Sequence, residues 1–588
     1  MRILLVRFLQ LSVLLGFSAA GQTQVGQRQL LCARVPAVVA GLQPIGVLPD
    51  STRLNLALVL PLRNQAALAS LLKDLYNPDS PNYRHYLSAS EFADRFGPTR
   101  QDYDKLAAFA QAHHLEVRRT HSNRTLLDVS GTAADIRGAF GVKFKVYPHP
   151  TEKRNFYAPD GDPSIDAGVP MLAIKGLDDF VLPLPGGRAR PLGGAGTSGA
   201  YLGNDFRTAY LPGVSLTGSG QQVALVEFDG YYPSDISKYQ QLTGLPAITL
   251  TNVLVDGYPG LPDTDAEKIG EVSLDIEMVN AMAPGVSRII VYEEEYFFPT
   301  DDILNSIATD DLASQISSSW IYEIDAASDQ ILQQFAAQGQ SFFSASGDGG
   351  AYPPGQITEP MDSAYLTAVG GTALSTNSSG GWLSETVWSD LARGIQRASG
   401  GGYTTNYSIP NWQTNVSMTA NGGSPAYRNI PDVAGVAANV LVIYNNGQTG
   451  VFDGTSCAAP LWAGFAALVN QQAAKYGNAI GFLNPALYAI GTAAGYATNF
   501  HDVTVGNNTN AISPTAYVAV AGYDLCNGMG HAEWKQPDQC PGATGHAGDA
   551  AHTGLQRARP WGRPIRCDGG ELLIDKYRVS LAGLVFGK

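Results

Sequence analysis

The chain is poor in histidine where a serine hydrolase of ordinary design would need one. It has nine histidines in 588 residues, and between about residue 150 and residue 530 His501 stands alone. A Ser-His-Asp triad requires an imidazole to take the hydroxyl proton, so that stretch has little room for one. Bases are scarce there as well. Residues 200–530 carry 8 Lys+Arg against 30 Asp+Glu, while residues 21–190 carry 20 against 16. Five cysteines in a chain of this length do not make a disulfide scaffold. A formal charge of -14 argues against a nucleic-acid partner. Beyond the N-terminus, no apolar run is long enough to cross a bilayer.

What is present begins with Arg2 and Arg7, a mostly apolar run from Phe8 to Phe17, and the small residues Ser18-Ala19-Ala20. Residues 1–20 read as a secretory signal peptide, with a single membrane anchor as the alternative. The expected product is secreted, extracellular or periplasmic, and free of the membrane once the signal is removed. The basic and acidic regions meet at Leu184-Pro185-Gly186-Gly187-Arg188-Ala189-Arg190, which runs on to Gly196 and has the composition of a linker. The expected organisation is a module at 21–185, a processing linker at 186–199, a larger domain at 200–530 and a tail at 531–588.

The first module mixes strand and helix. Leu54–Leu60 alternates as a strand, residues 65–75 and 101–114 have helical spacing, residues 117–129 suggest a hairpin, and residues 134–140 a short helix. This predicts a small α+β unit. In the second region, residues 222–228, 288–292, 313–319, 341–345 and 365–369 read as buried strands separated by helices. That pattern predicts a mostly parallel sheet with helices on both faces.

Three segments could carry chemistry. Residues 265–282 form an apolar helical pattern in which Glu267, Glu271 and Asp275 fall four apart on one face. Such a stripe is either a solvated acidic face or a cluster of functional carboxylates. In Gly454-Thr455-Ser456-Cys457, a serine opens an apolar helix, where backbone N–H groups favour developing negative charge. Cys457 suits a small buried position. In Ser346-Gly347-Asp348, the aspartate follows a strand and serves either as a turn former or as an acid aimed at an oxyanion. With no imidazole, the available bases are carboxylates, and a carboxylate-run serine enzyme works in acid.

In this order, Glu271-Val272-Ser273-Leu274-Asp275, Ser317-Ser318-Ser319-Trp320, Ser346-Gly347-Asp348, Ala368-Val369-Gly370-Gly371-Thr372, Pro431-Asp432-Val433-Ala434, Gly454-Thr455-Ser456 and Gly522-Tyr523-Asp524 resemble the sedolisin family of serine-carboxyl peptidases. The resemblance covers about residues 50–530. It implies a subtilisin-like α/β catalytic domain preceded by a ferredoxin-like activation prodomain that acts as an intramolecular inhibitor. It also implies cleavage of protein or peptide substrates. Ser456 would be the nucleophile, Glu271 its base, Asp275 the partner of Glu271, and Asp348 the oxyanion residue. Glu227 and Trp320 would extend the proton network. Asp229 is a tempting triad aspartate but has no histidine to orient. One Ca2+ would be held by the carboxylates of Asp502 and Asp524 and the carbonyls of Val503, Val520 and Gly522, with Val520 where relatives usually have glycine. An endopeptidase is the leading expectation. A tripeptidyl-type aminopeptidase and a catalytically impaired relative are the alternatives.

The pattern breaks after Gly528-Met529-Gly530. Shifted by one base, with permitted codon choices, residues 531–542 can read Thr-Pro-Asn-Gly-Ser-Asn-Leu-Ile-Asn-Ala-Leu-Ala, which restores the family ending. A frameshift near residue 530 is therefore inferred, with a genuine divergent tail as the alternative; if the frame is shifted, Cys540 and Cys567 are products of the wrong frame. Asn123, Asn377, Asn406, Asn415 and Asn507 stand in glycosylation-type triplets.

Overall fold

The alternating leucines of the N-terminal region build one face of a four-stranded antiparallel sheet. In the computed structural model, Arg53–Val59 pairs with Leu126–Thr132 on one side and Ala173–Lys175 on the other, and Glu116–Thr120 forms the far edge. Numbered along the chain, the strands lie 2-3-1-4, and the helices Arg100–Ala112 and Ala133–Phe140 complete a βαββαβ unit. The expected ferredoxin-like arrangement is therefore present. The second of these helices starts where Thr132 Oγ1 accepts the amide of Asp135 at 3.1 Å and the Asp135 carboxylate accepts the Thr132 amide at 3.1 Å.

The described residues are 28–31, 35–186, 188–190 (backbone), 199–357, 360–418, 422–477, 479–493, 496–509 and 517–533. The expected signal peptide, much of the linker and the tail from Trp534 onward lie outside them. No helix among the described residues is long and apolar enough to cross a membrane.

In the C-terminal region the continuous apolar runs become strands buried on both faces. The sheet order is Leu250–Leu254, Arg288–Glu293, Gln222–Glu227, Gln315–Ser318, Ser341–Ala345, Thr367–Thr376 and Trp382–Val387, and Val433–Val436 also pairs with Thr367–Thr376. Every pairing is parallel except that of Trp382–Val387. The strand expected at 365–369 begins later and runs to Thr376.

The two units share apolar surface. Val59, Leu126 and Ala173 of the first sheet pack into the main core. On the helix Gln65–Leu75, the buried residues Leu68, Leu71, Leu72 and Leu75 follow helical spacing and meet Ala336, Ala337 and Phe482. Polar contacts tie the same interface. Asn123 donates to Asn305 at 2.6 Å and to Gln334 at 2.9 Å. Asn123 is fully buried, so this triplet is not an accessible glycan acceptor in the fold.

Asp432, in Pro431-Asp432-Val433-Ala434, has a structural task. The fully buried Arg428 guanidinium donates to its two oxygens at 2.7 and 2.6 Å, Tyr488 donates at 2.8 Å, and the Ala368 amide donates at 2.8 Å. This clamps the start of one parallel strand to its neighbour. Asp432→Ala strands a buried guanidinium and is expected to cost about 3–5 kcal/mol, measured by urea unfolding. A loss under about 1 kcal/mol would contradict this role.

Candidate active site

Helix Ala266–Met282 starts at Asp265, whose carboxylate accepts the Glu267 amide at 2.9 Å. Every residue from Ile269 to Met282 is buried. Glu267 stays exposed, but Glu271 and Asp275 are fully enclosed, so the acidic stripe is not a solvated face. Lys268 turns aside, pairing with Asp263 at 3.4 Å and lying 3.8 Å from the centre of the Tyr296 ring.

Ser456 lies in a short 3-10 turn, Thr455–Cys457, between the strand Gln448–Asp453 and the buried helix Ala458–Ala473. The carboxylate-bearing helix packs against this turn. Ser456 Oγ donates to the Ser319 carbonyl at 3.4 Å. Ser319 Oγ in turn donates to Asp275 Oδ1 at 2.7 Å and reaches the Ser456 carbonyl at 3.2 Å. Trp320 Nε1 donates to Glu227 Oε2 at 2.8 Å.

Burial, and after it the charge of Glu271, pushes the Asp275 carboxyl well above the usual range, against the Ser319 bond. Burial also pushes Glu227 well up, followed by repulsion from Asp275, with Trp320 opposing. Like-charged carboxylates this close cannot all ionise together, so protons are shared across the group.

On the other side of Ser456, Asp348 Oδ1 accepts the Thr455 amide at 2.8 Å and the Thr455 hydroxyl at 3.0 Å, while Oδ2 pairs with Arg397. Burial raises the Asp348 carboxyl, and Arg397 and Thr455 oppose it. Asp229 accepts the amides of Gly230 and Asp263 at 2.7 and 2.8 Å, which is loop organisation. Cys457 is buried, and its thiol is pushed well up by burial, then by Asp453, Glu271 and Asp348, so it is inert.

Ser319 and Arg397 escaped the sequence reading. Ser319 was inside a quoted run, and Arg397 is one of the few bases in the acidic region, which was its only signal.

The linker lies across Ser456. Leu184–Pro185 pairs antiparallel with Trp320–Ile321, the Gly186 amide donates to the Ser319 carbonyl at 3.1 Å, and Arg188–Arg190 pairs with Val451–Asp453. A Cβ on Gly186 would fall 2.7 Å from Ser456 Oγ. The main chain of Gly186 is thus against the Ser456 hydroxyl.

At the far end, Asp502 Oδ2 accepts the Gly522 amide at 2.9 Å, and Asp524 Oδ2 accepts the Val520 amide at 2.9 Å. Asn527 Nδ2 bridges the Val503 carbonyl at 3.2 Å and Asp524 Oδ2 at 3.3 Å. All five expected ligand residues therefore meet in one loop system. Burial, with a smaller contribution from Asp502, pushes Asp524 up to about 7. Two carboxylates and nearby carbonyls are a donor set that suits calcium.

Residues 40–180 match the model of the pro-kumamolisin activation domain. The chain is 34% identical to kumamolisin of Bacillus sp. (strain MN-32) over 77% of this chain and 85% of that protein. It is 28% identical to sedolisin of Pseudomonas sp. (strain 101) over 81% and 85%. It is 24% identical to tripeptidyl-peptidase 1 of Rattus norvegicus over 83% and 90%. Among solved structures it is similar to Pseudomonas sedolisin, a serine-carboxyl proteinase complexed with pseudo-iodotyrostatin. The TM-score is 0.51 at 29% identity, covering 57% of this chain and 96% of that one.

The buried acids set a pH dependence of stability. Asp275, Glu227 and Glu277 are raised by burial, and burial followed by Asp229 pushes Glu293 up to about 8. A carboxyl raised in the fold favours folding below its unfolded value near 4 and loses that contribution as pH rises through its folded value. The C-terminal domain is therefore expected to melt at a higher temperature at pH 5 than at pH 8, by calorimetry with calcium saturating. A higher melting temperature at pH 8 would contradict the electrostatics.

Proposed function

The chain belongs to the sedolisin family of serine-carboxyl peptidases, and we propose that it is the secreted zymogen of an acid-acting endopeptidase that processes itself. The observation carrying this reading is the main chain of Gly186 laid against Ser456 Oγ. Ser456 attacks the carbonyl carbon of Gly186 while Glu271 takes the hydroxyl proton. Asp275 shares a proton with Glu271 and holds it in place. Ser319 fixes Asp275, and Glu227 with Trp320 continues the network inward. The proton on Glu271 then passes to the leaving amine, and water completes hydrolysis of the acyl-enzyme.

Asp348 serves the oxyanion only as a neutral acid that donates a hydrogen bond. Arg397 favours its ionised form, so acidification is what arms it. The linker is held on both sides of Gly186, by Leu184–Pro185 and by Arg188–Arg190. A cleft that accepts chain in both directions favours endopeptidase over tripeptidyl-peptidase action.

The prodomain is held partly by charge: about +4 for residues 21–190 against about -22 for residues 200–530, from the counts above. Lys175 is the local form of this attraction, 2.8 Å from Asp325 and 3.5 Å from Asp301. Burial raises Asp301 despite Lys175, so it is the first of the two to take a proton. For Asp325 burial raises the carboxyl, but Lys175 and the Ala327 and Ser328 amides outweigh this and hold it below the usual range. Its contribution to attachment is present at neutral pH and is lost as pH falls through that depressed value.

Peptide cleavage is expected to peak at roughly pH 3–5, between loss of the charge on Glu271 and protonation of Asp348. Ser456→Ala and Glu271→Ala should each lose at least about 1,000-fold in kcat, and the losses should not add. An optimum above pH 7 would overturn this mechanism.

On acidification the wild-type chain should first yield a mature N-terminus at Gly187, read by N-terminal sequencing, while purified Ser456→Ala stays full length at pH 4. Maturation of that variant with no other protease present would refute self-processing.

Calcium held by Asp502 and Asp524, with carbonyls of Val503, Val520 and Gly522, would brace the loop between them. Chelation at neutral pH should lower the melting temperature of the mature domain and leave its Asp524→Ala variant unchanged. Equal sensitivity in both would remove this site.

A further inference from the structure

A second group of carboxylates lies where the prodomain meets the catalytic domain. Asp128 comes from the prodomain strand Leu126–Thr132. Asp256 follows the strand Leu250–Leu254, Glu294 follows Arg288–Glu293, and Asp302 lies in the first turn of the helix Thr300–Asp310. One carboxylate oxygen from each of Asp128, Asp256 and Asp302 lies within 4.8 Å of the others. A cation with oxygen ligands at about 2.4 Å spans about 4.8 Å between opposite ligands, so the three oxygens fit around one ion.

Glu294 is the independent observation. It is fully buried with its carboxyl against that of Asp256, and no amide, hydroxyl or cationic donor reaches either of its oxygens. Asp128 Oδ1, Asp256 Oδ2 and Asp302 Oδ1 are also buried without a partner. Asp128 is oriented from behind, with His121 Nε2 at 2.7 Å from its Oδ2. That leaves Oδ1 for the cluster, as an outer hydrogen bond orients a metal-binding carboxylate.

The neighbouring cations do not fill the group. The Arg118 guanidinium donates to the Asp256 carbonyl at 2.8 Å and lies 4.6 Å from the centre of the Phe298 ring. Arg119 contributes its charge to Asp256 and Glu294 from the adjacent strand. Asp128, Glu294 and Asp302 are buried and Asp256 is half-buried, and holding four carboxylates together with only the charges of Arg118 and Arg119 close by is costly; an all-oxygen set selects a hard divalent ion.

We propose that Asp128, Asp256, Glu294 and Asp302 form a calcium site that bridges prodomain and catalytic domain in the zymogen. Three ligands stay with the catalytic domain and one leaves with the prodomain, so the site exists in full only before activation. A bound ion adds to the attachment of the prodomain and is separate from the ion expected at Asp502 and Asp524.

The test is a count of bound metal, which does not depend on catalysis. Full-length Ser456→Ala chain, confirmed uncleaved, is equilibrated with calcium at pH 7 and analysed by elemental mass spectrometry. It should hold one more calcium ion per chain than the same chain carrying Asp128→Asn or Glu294→Gln, with folding checked by circular dichroism. The difference should persist in an Asp524→Asn background. Equal calcium with and without either folded substitution would overturn the proposal and leave the carboxyls sharing protons instead.

Discussion

Two carboxylates one helical turn apart, Glu271 and Asp275, are buried in the helix that packs against the turn holding Ser456, in a region with almost no histidine, and much of the molecule answers to that arrangement. Burial, and after it the charge of Glu271, raises the Asp275 carboxyl, and the Ser319 hydroxyl donates to it at 2.7 Å. A helix buried from Ile269 to Met282 is what makes this possible, because the same residues exposed to water would titrate separately. On the proposed mechanism, acid chemistry follows from position rather than from any unusual side chain.

The N-terminal unit makes sense against that background. It places its sheet on the catalytic core through Val59, Leu126 and Ala173, ties itself with Lys175 and Asn123, and sends its linker over Ser456. Gly186 suits its place because any side chain there would collide with the Ser456 hydroxyl and the Ser319 carbonyl. On the proposed mechanism, the attachment that covers Ser456 also presents it with its first substrate.

Much of this was legible in the sequence, and the failures are instructive. Local pattern placed the helix Gln65–Leu75 and the strand Ser341–Ala345 at their observed bounds, because apolar spacing there matches a single face or a fully buried run. The stripe Glu267, Glu271, Asp275 was visible, but spacing could not say whether it met water. The helix Ala458–Ala473 and the strand Val440–Tyr444 packed on it decide that, and they divide the stripe, leaving Glu267 outside. Ser319 and Arg397 were illegible because their roles arise from segments brought together across more than forty residues of chain, Ser319 with Asp275 and Arg397 with Asp348. Asn123 matched a surface motif and lies buried, since a triplet carries no information about packing. The domain-bridging carboxylates were equally invisible: Asp128 and Asp302 are distant in sequence and belong to different units.

The central claim is that Glu271 activates Ser456 without an imidazole. Its most direct test is the rate at which a serine-directed phosphonofluoridate labels the mature enzyme at pH 4, with the modified residue mapped by mass spectrometry. The account predicts a single label on Ser456, formed at least about 100-fold more slowly in Glu271→Gln and unaffected in His501→Gln. Undiminished labelling of Ser456 in Glu271→Gln, or a rate that depends on a histidine, would contradict it.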